Sequence, residues 1–483
     1  MHRLARFAVS GLLTLLALSV HVSAADKPSA QSGRQRAEAF LKILSAPVAE
    51  QREFVQDNFT QVVIGQRGLE GLVQFLPQVR EDLGTAPPRS VRARDDRVEF
   101  GIRKDNGEHL RFTVLLSPPP ESKINGFTLM PGDSAEAADP VPVEPVPPLT
   151  EAELPKAIAS LMDRHEAKGF AGAVIVARKG KPLFAQAYGE ADRASRRANT
   201  LDTPFELASL NKMFTALLVA QLQEQGKLAF GDKVGKFLPD WPQADVRDKV
   251  SIENLLTHTS GLGVYWGPAH DAKATTLDTA AEYGELFHDD TPAAEPGKRF
   301  RYSNNGYVLL GLIAERISGK DYYDLVREHI YRPAGMRHSD HYPSTDSASG
   351  FAVGYDADGK PVTSNMALRG SPAGGGYASA NDLLRFATAL EDGTLVSKAT
   401  LARMTTGQAE MGPDMAYGYG FGVGSGATHG KQKHYGHTGG SPGASASFEV
   451  FPESGHVVIV LSNQGGRSLD VAQALAGLVL ARE

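Results

Sequence analysis

Ser209 and Lys212 are the residues whose types and spacing most directly suggest chemistry. They stand three positions apart and lead into Met213–Leu222, a segment so apolar that it predicts a buried helix. Side chains three apart on a helix lie on one face and can meet. A serine nucleophile needs an adjacent base, and burial at the positive end of a helix lowers the pKa of a lysine toward the range where it is neutral. The alternative is a helix-capping serine followed by a surface lysine.

A second candidate pair, Tyr302 and Asn304, precedes the apolar run Tyr307–Ile317. A phenol placed near the lysine could pass a proton to a leaving group. A side-chain amide could hold a substrate amide in register. Taken alone, the same residues also fit a loop tyrosine beside an asparagine cap.

A glycine-rich run, His434–Gly443, stands late in the chain, before a predicted strand. Glycine lets backbone approach a ligand closely, and a backbone N–H there, paired with that of Ser209, would form an oxyanion hole. A glycine-rich hairpin is the simpler reading of the run by itself. The candidate residues here are His437, Thr438, Gly439 and Gly440.

Ser441 is a rival nucleophile, because Gly439–Gly443 also matches the Gly-x-Ser-x-Gly elbow of α/β-hydrolases. That elbow uses the backbone N–H of the residue after the serine, and Pro442 has none. The acid and histidine expected later in the chain are confined to Glu453 and His456. These features disfavour Ser441.

Metal-dependent hydrolysis has little support in the sequence. There is no His-Glu-x-x-His motif, and His434 with His437 lacks an obvious carboxylate as third ligand. The chemistry proposed for Ser209 handles all charge with side chains and backbone amides. We therefore expect no cofactor and no metal.

The three segments together resemble the serine β-lactamase and penicillin-binding protein family, which includes class C β-lactamases, D-alanyl-D-alanine carboxypeptidases, D-amino-acid peptidases and related esterases. The motifs of that family are Ser-x-x-Lys, Tyr-x-Asn and Lys/His-x-Gly, in this order, and they match Ser209–Lys212, Tyr302–Asn304 and His437–Gly439. Three further stretches also resemble sequences of this family: Leu255–Leu262, Pro333–Met336 and Ala373–Leu383. With them, the resemblance extends over roughly 164–480.

The resemblance implies a role for each matching position. Ser209 would be the nucleophile, Lys212 the general base and Tyr302 a proton relay. Asn304 would contact the substrate amide, and His437 would shape the electrostatics of the site or hold a substrate carboxylate. The backbone amides of Ser209 and Gly440 would form the oxyanion hole. His258 lies in a stretch, Leu255–Leu262, that usually has a structural role in the family, and we leave it out of the predicted site.

The third motif has histidine where class C β-lactamases usually have lysine and where related esterases often have tryptophan. We therefore rank a D-stereospecific peptidase or amidase first, a carboxylesterase second and a β-lactamase third. The expected substrate is a small peptide, amide or ester, including cell-wall-derived peptides. A slow-turnover penicillin-binding or sensing module of the same fold stays open.

The elements that must position these residues are clearest at the two ends of 151–483. A helix to about Lys168 and a strand 171–177 begin this region, and strands 445–451 and 456–462 with a helix 470–482 end it. An antiparallel sheet with both terminal helices on one face is the economical arrangement, with a helical lobe between. The resemblance implies the same α+β, β-lactamase/transpeptidase-like fold.

The residues before 151 predict a separate small α+β domain, 27–133. Helical spacing over 33–59, interrupted at Pro47, is followed by two alternating strands around the turn Asn106–Gly107. The pattern resembles cystatin or nuclear-transport-factor-like (NTF2-like) accessory folds. Residues 134–150 are proline-rich and predict a stiff linker.

The first 24 residues read as a signal peptide: Arg3 and Arg6, an apolar stretch Phe7–Val20, and small residues up to Ala24. The apolar stretch is shorter than the roughly 20 residues that span a bilayer. We expect an exported protein, periplasmic or secreted, without a stable membrane span after cleavage. The sequence contains no cysteine and no basic run, so it predicts neither disulfides nor a nucleic-acid partner. It leaves the oligomeric state open.

Overall fold

The computed structural model describes residues 33–480, apart from 62, 65–68, 84–87, 94–96, 104–108, 118–120, 132–148, 151, 267, 347–349, 357–358, 363–366, 413–414 and 425–431. The predicted signal peptide and nearly all of the predicted linker lie outside the described residues. The chain divides into two compact units after Met130. The domain bounds 27–133 and 151–483 stay predictions.

The first unit places helices before a four-stranded sheet of order β1–β2–β3–β4. As predicted, the helical region is interrupted at Pro47, which precedes the second helix. Phe40 packs against the sheet, with ring centroids 5.8 Å from Phe112 and 5.2 Å from Phe127. The elements are α1 (Gly33–Ile43), α2 (Val48–Asn58), α3 (Leu69–Leu83), β1 (Pro88–Ala93), β2 (Arg97–Arg103), β3 (His109–Leu116) and β4 (Ile124–Pro131).

The second unit is built on an eight-stranded sheet of order β11–β12–β13–β14–β15–β16–β5–β6. Its strands are β5 (Gly172–Arg178), β6 (Lys181–Tyr188), β11 (Ala409–Gly412), β12 (Met415–Tyr417), β13 (Gly422–Gly424), β14 (His434–Ser441), β15 (Ala444–Phe451) and β16 (His456–Ser462). Neighbouring strands run antiparallel. Short strand pairs are formed by β7 (Glu190–Asp192) with β8 (Arg197–Ala198), and by β9 (Phe205–Glu206) with β10 (Tyr377–Ala378).

Helices cover both faces of this sheet, which explains the continuous apolar runs in β5 (173–177) and β16 (457–461). Val174 and Val458 face the terminal helices α4 (Leu154–Glu166) and α14 (Arg467–Leu480). Ile175 and Ile459 face the other way, into the core shared with the helical lobe. The antiparallel sheet with both terminal helices on one face is confirmed.

The lobe between the sheet segments contains most of the remaining helices. They are α5 (Lys212–Glu224), α6 (Ala244–Lys249), α7 (Ile252–Leu256), α8 (Pro268–Lys273), α9 (Ala280–Glu285), α10 (Asn304–Ser318), α11 (Tyr322–Val326), α12 (Ala380–Glu391) and α13 (Lys398–Met404), with 3₁₀ turns at Ala208–Asn211, Val234–Lys236 and Ala274–Thr276 and a π-helical turn at Arg327–Tyr331. One difference from prediction is that β11–β13, drawn from this region, extend the sheet. In the part of the chain that the structure describes, no helix is long and apolar enough to cross a membrane.

Candidate active site

Ser209 lies in a strained turn between β9 and α5. The turn is the 3₁₀ segment Ala208–Asn211, and Ala208 has a φ of 45°, a left-handed conformation that a residue with a side chain rarely adopts. The backbone N–H of Gly375 donates to the Ala208 carbonyl at 3.3 Å. Gly374 allows this approach, since a Cβ there would lie 3.0 Å from the same oxygen. The glycine segment thus holds the turn that presents Ser209.

Lys212 is completely buried directly behind Ser209. Its Nζ lies 3.2 Å from Ser209 Oγ, 2.8 Å from Asn304 Oδ1 and 2.5 Å from the Ala373 carbonyl oxygen. Burial lowers the pKa of Lys212 well below its ordinary value, because the charged form loses its hydration and none of the described carboxylates compensates for this loss. The amine is therefore biased toward its neutral form.

The three partners of Lys212 define how a neutral amine is oriented. Such an amine has two N–H donors and one lone pair, while the Asn304 Oδ1 and the Ala373 carbonyl oxygen can only accept hydrogen bonds. These two acceptors take both donors, which leaves the lone pair for the Ser209 hydroxyl. This is the orientation that a general base for Ser209 requires.

Tyr302 lies next to Lys212 and Ser209. Its ring centroid is 4.8 Å from Lys212 Nζ. Burial raises the pKa of Tyr302 more than the neighbouring Ser209 hydroxyl lowers it, so the phenol keeps its proton at neutral pH. The hydroxyl can therefore donate a proton to a leaving group and recover one from the lysine.

Asn304 is fixed by the start of α10. Ser303 is the N-cap of that helix, and its hydroxyl accepts from the Gly306 backbone N–H at 2.9 Å. The same hydroxyl donates to the Gly263 carbonyl. This cap orients the Tyr302–Asn304 motif toward Lys212.

His437 lies on β14 with both ring nitrogens occupied. Its Nδ1 is 2.6 Å from the Thr438 carbonyl oxygen, which only accepts, so Nδ1 donates and Nε2 accepts from the Tyr417 hydroxyl at 2.9 Å. Burial and the nearby Lys212 lower the pKa of His437 to about 3. The ring is a neutral partner of Tyr417, and this arrangement offers no cation to a substrate carboxylate.

The remaining predicted residues follow on β14, which crosses the Ser209 turn. A Cβ at Gly439 would overlap the Leu207 carbonyl oxygen, so the strand and the turn are in direct contact. Gly440 is exposed, with open space where a side chain would be, and Thr438 is exposed as well. The structure thus brings the second and third motifs to the side of Ser209.

His258, which we left out of the predicted site, lies within it. Its buried ring accepts the Ser303 backbone N–H at Nδ1 over 3.0 Å, and its carbonyl accepts the Arg301 N–H over 2.7 Å. The ring centroid lies 4.3 Å from that of Tyr302 and 4.5 Å from that of Tyr417. His258 therefore holds the second motif through its main chain and its side chain.

The one sequence feature that could have drawn attention to His258 is that it lies within Leu255–Leu262, a stretch similar to the family that we interpreted as structural. Its φ of 57° is a left-handed conformation. No spacing rule predicts that such a residue bonds to Ser303, 45 positions later.

The alternative nucleophile, Ser441, lies at the end of β14. The chain continues through a tight turn into β15, whereas a nucleophile elbow leads from a strand into a helix. This strand-to-strand connection does not support Ser441 as a nucleophile. Among the described residues, no three His, Cys, Asp or Glu side chains cluster so as to hold a metal ion.

Comparison with known proteins gives a consistent match to the second unit. Residues 154–481 match the family model described as Beta-lactamase. The putative penicillin-binding protein PbpX of Bacillus subtilis is 32% identical over 296 residues, which cover 61% of this chain and 70% of that protein. The D-alanyl-D-alanine-carboxypeptidase/endopeptidase AmpH of Escherichia coli is 28% identical over 258 residues, 52% of this chain and 66% of that protein.

Solved structures agree with the sequence matches. The crystal structure of a penicillin-binding protein from Bacillus halodurans superimposes with a TM-score of 0.60 and 29% identity. The match covers 66% of this chain and 98% of that chain. The first unit lies outside the family match.

Proposed function

Because the chain belongs to the β-lactamase and penicillin-binding protein family of serine hydrolases, we propose that Ser209 forms an acyl-enzyme with D-amino-acid-containing peptides or amides. The observation that carries this proposal is the placement of Lys212. Its amine is buried, is biased toward neutrality, and has both N–H donors engaged by acceptors, so its lone pair faces Ser209 Oγ at 3.2 Å.

In the proposed acylation, Ser209 Oγ bonds to the substrate carbonyl carbon while its proton passes to Lys212 Nζ. The backbone N–H groups of Ser209 and Gly440 stabilise the oxyanion that forms. As the C–N bond breaks, the proton taken by Lys212 returns through Tyr302 to the leaving amine.

Deacylation repeats the sequence with water as the nucleophile. A water molecule attacks the ester carbon, its proton passes to the Tyr302–Lys212 pair, and Ser209 Oγ leaves and recovers a proton from that pair. The carboxylic acid product is then released. Asn304 has two roles in this proposal: its Oδ1 orients Lys212, and its amide nitrogen would contact the substrate.

The assignment of a D-amino-acid substrate rests on two supports. AmpH, a relative, is named as an enzyme that acts on D-alanyl-D-alanine peptides. The neutral His437 also makes this site unlike one built to hold an anionic β-lactam through a lysine in the third motif. Peptides derived from the cell wall fit an exported enzyme, which is our proposal from residues 1–24.

Three other activities of the same fold can be distinguished by assaying the protein with aryl esters, D-amino-acid amides and penicillin. A carboxylesterase would hydrolyse simple aryl esters and leave D-amino-acid amides intact. A β-lactamase would turn over penicillin rapidly, and a penicillin-binding sensor would retain the penicilloyl adduct.

The test is release of D-alanine or amine from D-alanyl peptides and D-amino-acid amides by the mature wild-type protein. Ser209→Ala should abolish turnover while leaving the circular dichroism spectrum unchanged. Ser441→Ala should retain most of the activity. An active Ser209→Ala variant with an inactive Ser441→Ala variant would overturn the proposal.

A further inference from the structure

Thr215 is a buried polar residue of α5 that none of the proposed chemical steps uses. It follows Lys212 by three residues, so the two side chains are neighbours on the surface of the helix. The whole Thr215 side chain is inaccessible to solvent. Burying a hydroxyl is unfavourable unless it is hydrogen-bonded, so the partners of Thr215 indicate its role.

Lys212 and Thr215 bind two consecutive carbonyl groups of the segment 369–374. The Thr215 hydroxyl donates to the Pro372 carbonyl oxygen over 2.6 Å. Lys212 Nζ lies 2.5 Å from the next carbonyl oxygen, that of Ala373. Because both donors come from one helix, a shift of the segment along α5 would break both hydrogen bonds.

The peptide group between Pro372 and Ala373 is held at both of its polar atoms. Its carbonyl accepts from Thr215, and its N–H donates to the Ser371 hydroxyl oxygen over 3.0 Å. The carbonyl of the following peptide group binds Lys212, and the N–H of that group donates to the Ser371 carbonyl oxygen over 3.0 Å. All four polar atoms of these two peptide groups are therefore paired, which fixes the direction of the Ala373 carbonyl.

The direction of the Thr215 hydroxyl is itself determined by a chain of buried hydrogen bonds. Asn211 Nδ2 donates to the Tyr322 hydroxyl over 3.2 Å, and the Tyr322 and Thr215 hydroxyl oxygens are 2.7 Å apart. A carbonyl oxygen can only accept, so Thr215 donates to Pro372 and accepts from Tyr322. The chain keeps the Thr215 hydroxyl in the orientation that binds the segment 369–374.

The beginning of the segment is bound by tyrosine hydroxyls of the helical lobe. The Tyr283 hydroxyl donates to the Arg369 carbonyl oxygen over 2.7 Å, and the Tyr323 hydroxyl donates to the Gly370 carbonyl oxygen over 2.8 Å. These bonds fix where the segment runs, but they lie earlier in it than the carbonyl that binds the lysine. The orientation of that carbonyl depends on the peptide group directly before it.

We propose that Thr215 and Ser371 are positioning residues for the catalytic base. By holding the Ala373 carbonyl toward Lys212, they direct the lone pair of the neutral amine at Ser209. The inference rests on the proposed function, in which Lys212 is the general base. Without this hold the amine would keep one fixed acceptor instead of two, and it could turn an N–H group toward the Ser209 hydroxyl. An amine in that orientation cannot take the serine proton.

The test is a double-mutant cycle in which the rate of Ser209 labelling by a fluorophosphonate is followed by intact-protein mass spectrometry. The reagent reacts with the activated serine, so the readout does not depend on the natural substrate. Thr215→Val removes the hydroxyl and nearly keeps the shape of the side chain, Lys212→Met removes the base, and the double variant closes the cycle. Thr215→Ser, which keeps the hydroxyl, is the matched control. Val458→Ala, a truncation in the core beneath the terminal helices, controls for lost stability.

Thr215→Val should be labelled about 10- to 100-fold more slowly than the wild-type protein, since displacing a catalytic group by about 1 Å can have an effect of that size. In the Lys212→Met background the same substitution should have almost no further effect, because it acts through the lysine. Ser371→Ala should behave like Thr215→Val. Thr215→Ser and Val458→Ala should be labelled at close to the wild-type rate.

Equal slowing by Thr215→Val in both backgrounds would show that its effect does not pass through Lys212 and would overturn the inference. A wild-type rate in Thr215→Val or Ser371→Ala, or a Thr215→Ser variant as slow as Thr215→Val, would also overturn it. Failure of the proposed function gives a different result: Lys212→Met would be labelled as fast as the wild-type protein, or the wild-type protein would not be labelled at Ser209.

Discussion

The role of His258 can be tested by removing its hydrogen bond while its aromatic packing is kept. Burial, aided by the nearby Lys212 and His437, lowers the pKa of His258, so the ring is neutral and Nδ1 can accept the Ser303 N–H. Phenylalanine at this position would still stack on Tyr302, where the centroids are 4.3 Å apart. It would leave the buried N–H of Ser303 without a partner.

The expected cost has two sources, the lost hydrogen bond and the strain of phenylalanine at the left-handed φ of 57°. A buried donor left unsatisfied costs about 1–3 kcal/mol, so the free energy of unfolding of His258→Phe should fall by at least that amount. The larger effect should be on kcat. Tyr302 precedes Ser303, and displacing a catalytic group by about 1 Å can reduce the rate by about 100-fold.

The assay pairs urea unfolding with steady-state kinetics on an amide substrate. His258→Asn should have a kcat at least about ten times that of His258→Phe, because its side-chain oxygen can accept the Ser303 N–H and asparagine tolerates the left-handed φ of 57°. Val458→Ala, a core truncation on the opposite face of the sheet, controls for destabilisation alone. If His258→Phe had the kcat of Val458→Ala, the positioning argument would be wrong.

Two further predictions concern Lys212 and β14. The pKa of Lys212 is lowered in the folded protein. Burying the neutral amine therefore costs stability at pH values below about 10.4, the pKa of lysine in the unfolded chain, because the amine must lose a proton on folding. Above that pH the amine is neutral in both states and the cost disappears. The stability of Lys212→Met relative to wild type in urea should therefore be greater at pH 7 than at pH 10.5, on top of a pH-independent cost of leaving the Asn304 and Ala373 acceptors without a donor; a difference in stability that does not depend on pH would refute neutral burial. Gly439→Ala should lower Tm sharply because its Cβ would overlap the Leu207 carbonyl, whereas Gly440→Ala, which enters open space, should leave Tm nearly unchanged, and equal Tm values would contradict the close crossing.

The parts of the fold that sequence reasoning predicted well have strong local patterns. The interruption at Pro47, the strands β5, β15 and β16, and the terminal helix α14 all agree with prediction to within a few residues. Their signals are a proline and long runs of alternating or continuous apolar residues. Strands β11–β13 were missed because each is only three or four residues long, and only their pairing with one another and with β14 makes them strands.

The candidate site, like the fold, could be predicted only in part. The sequence identified the residues of the three motifs, and the structure places them around Ser209. The sequence did not identify the groups that form hydrogen bonds with those residues. The Ala373 carbonyl that binds Lys212 comes from a residue 161 positions away and has no side-chain signature. Tyr417, whose hydroxyl is hydrogen-bonded to His437 Nε2, belongs to strand β12, which was not predicted.

The most direct measurement of the central claim is intact-protein mass spectrometry of the mature protein and its Ser209→Ala variant after incubation with a fluorophosphonate and, separately, with a penicillin. We predict one adduct on the wild-type protein, localised to Ser209, and none on the variant; the lifetime of the penicillin adduct would then separate carboxypeptidase-like from β-lactamase-like behaviour. An adduct that persists in Ser209→Ala, or that maps to Ser441, would contradict the assignment of the nucleophile.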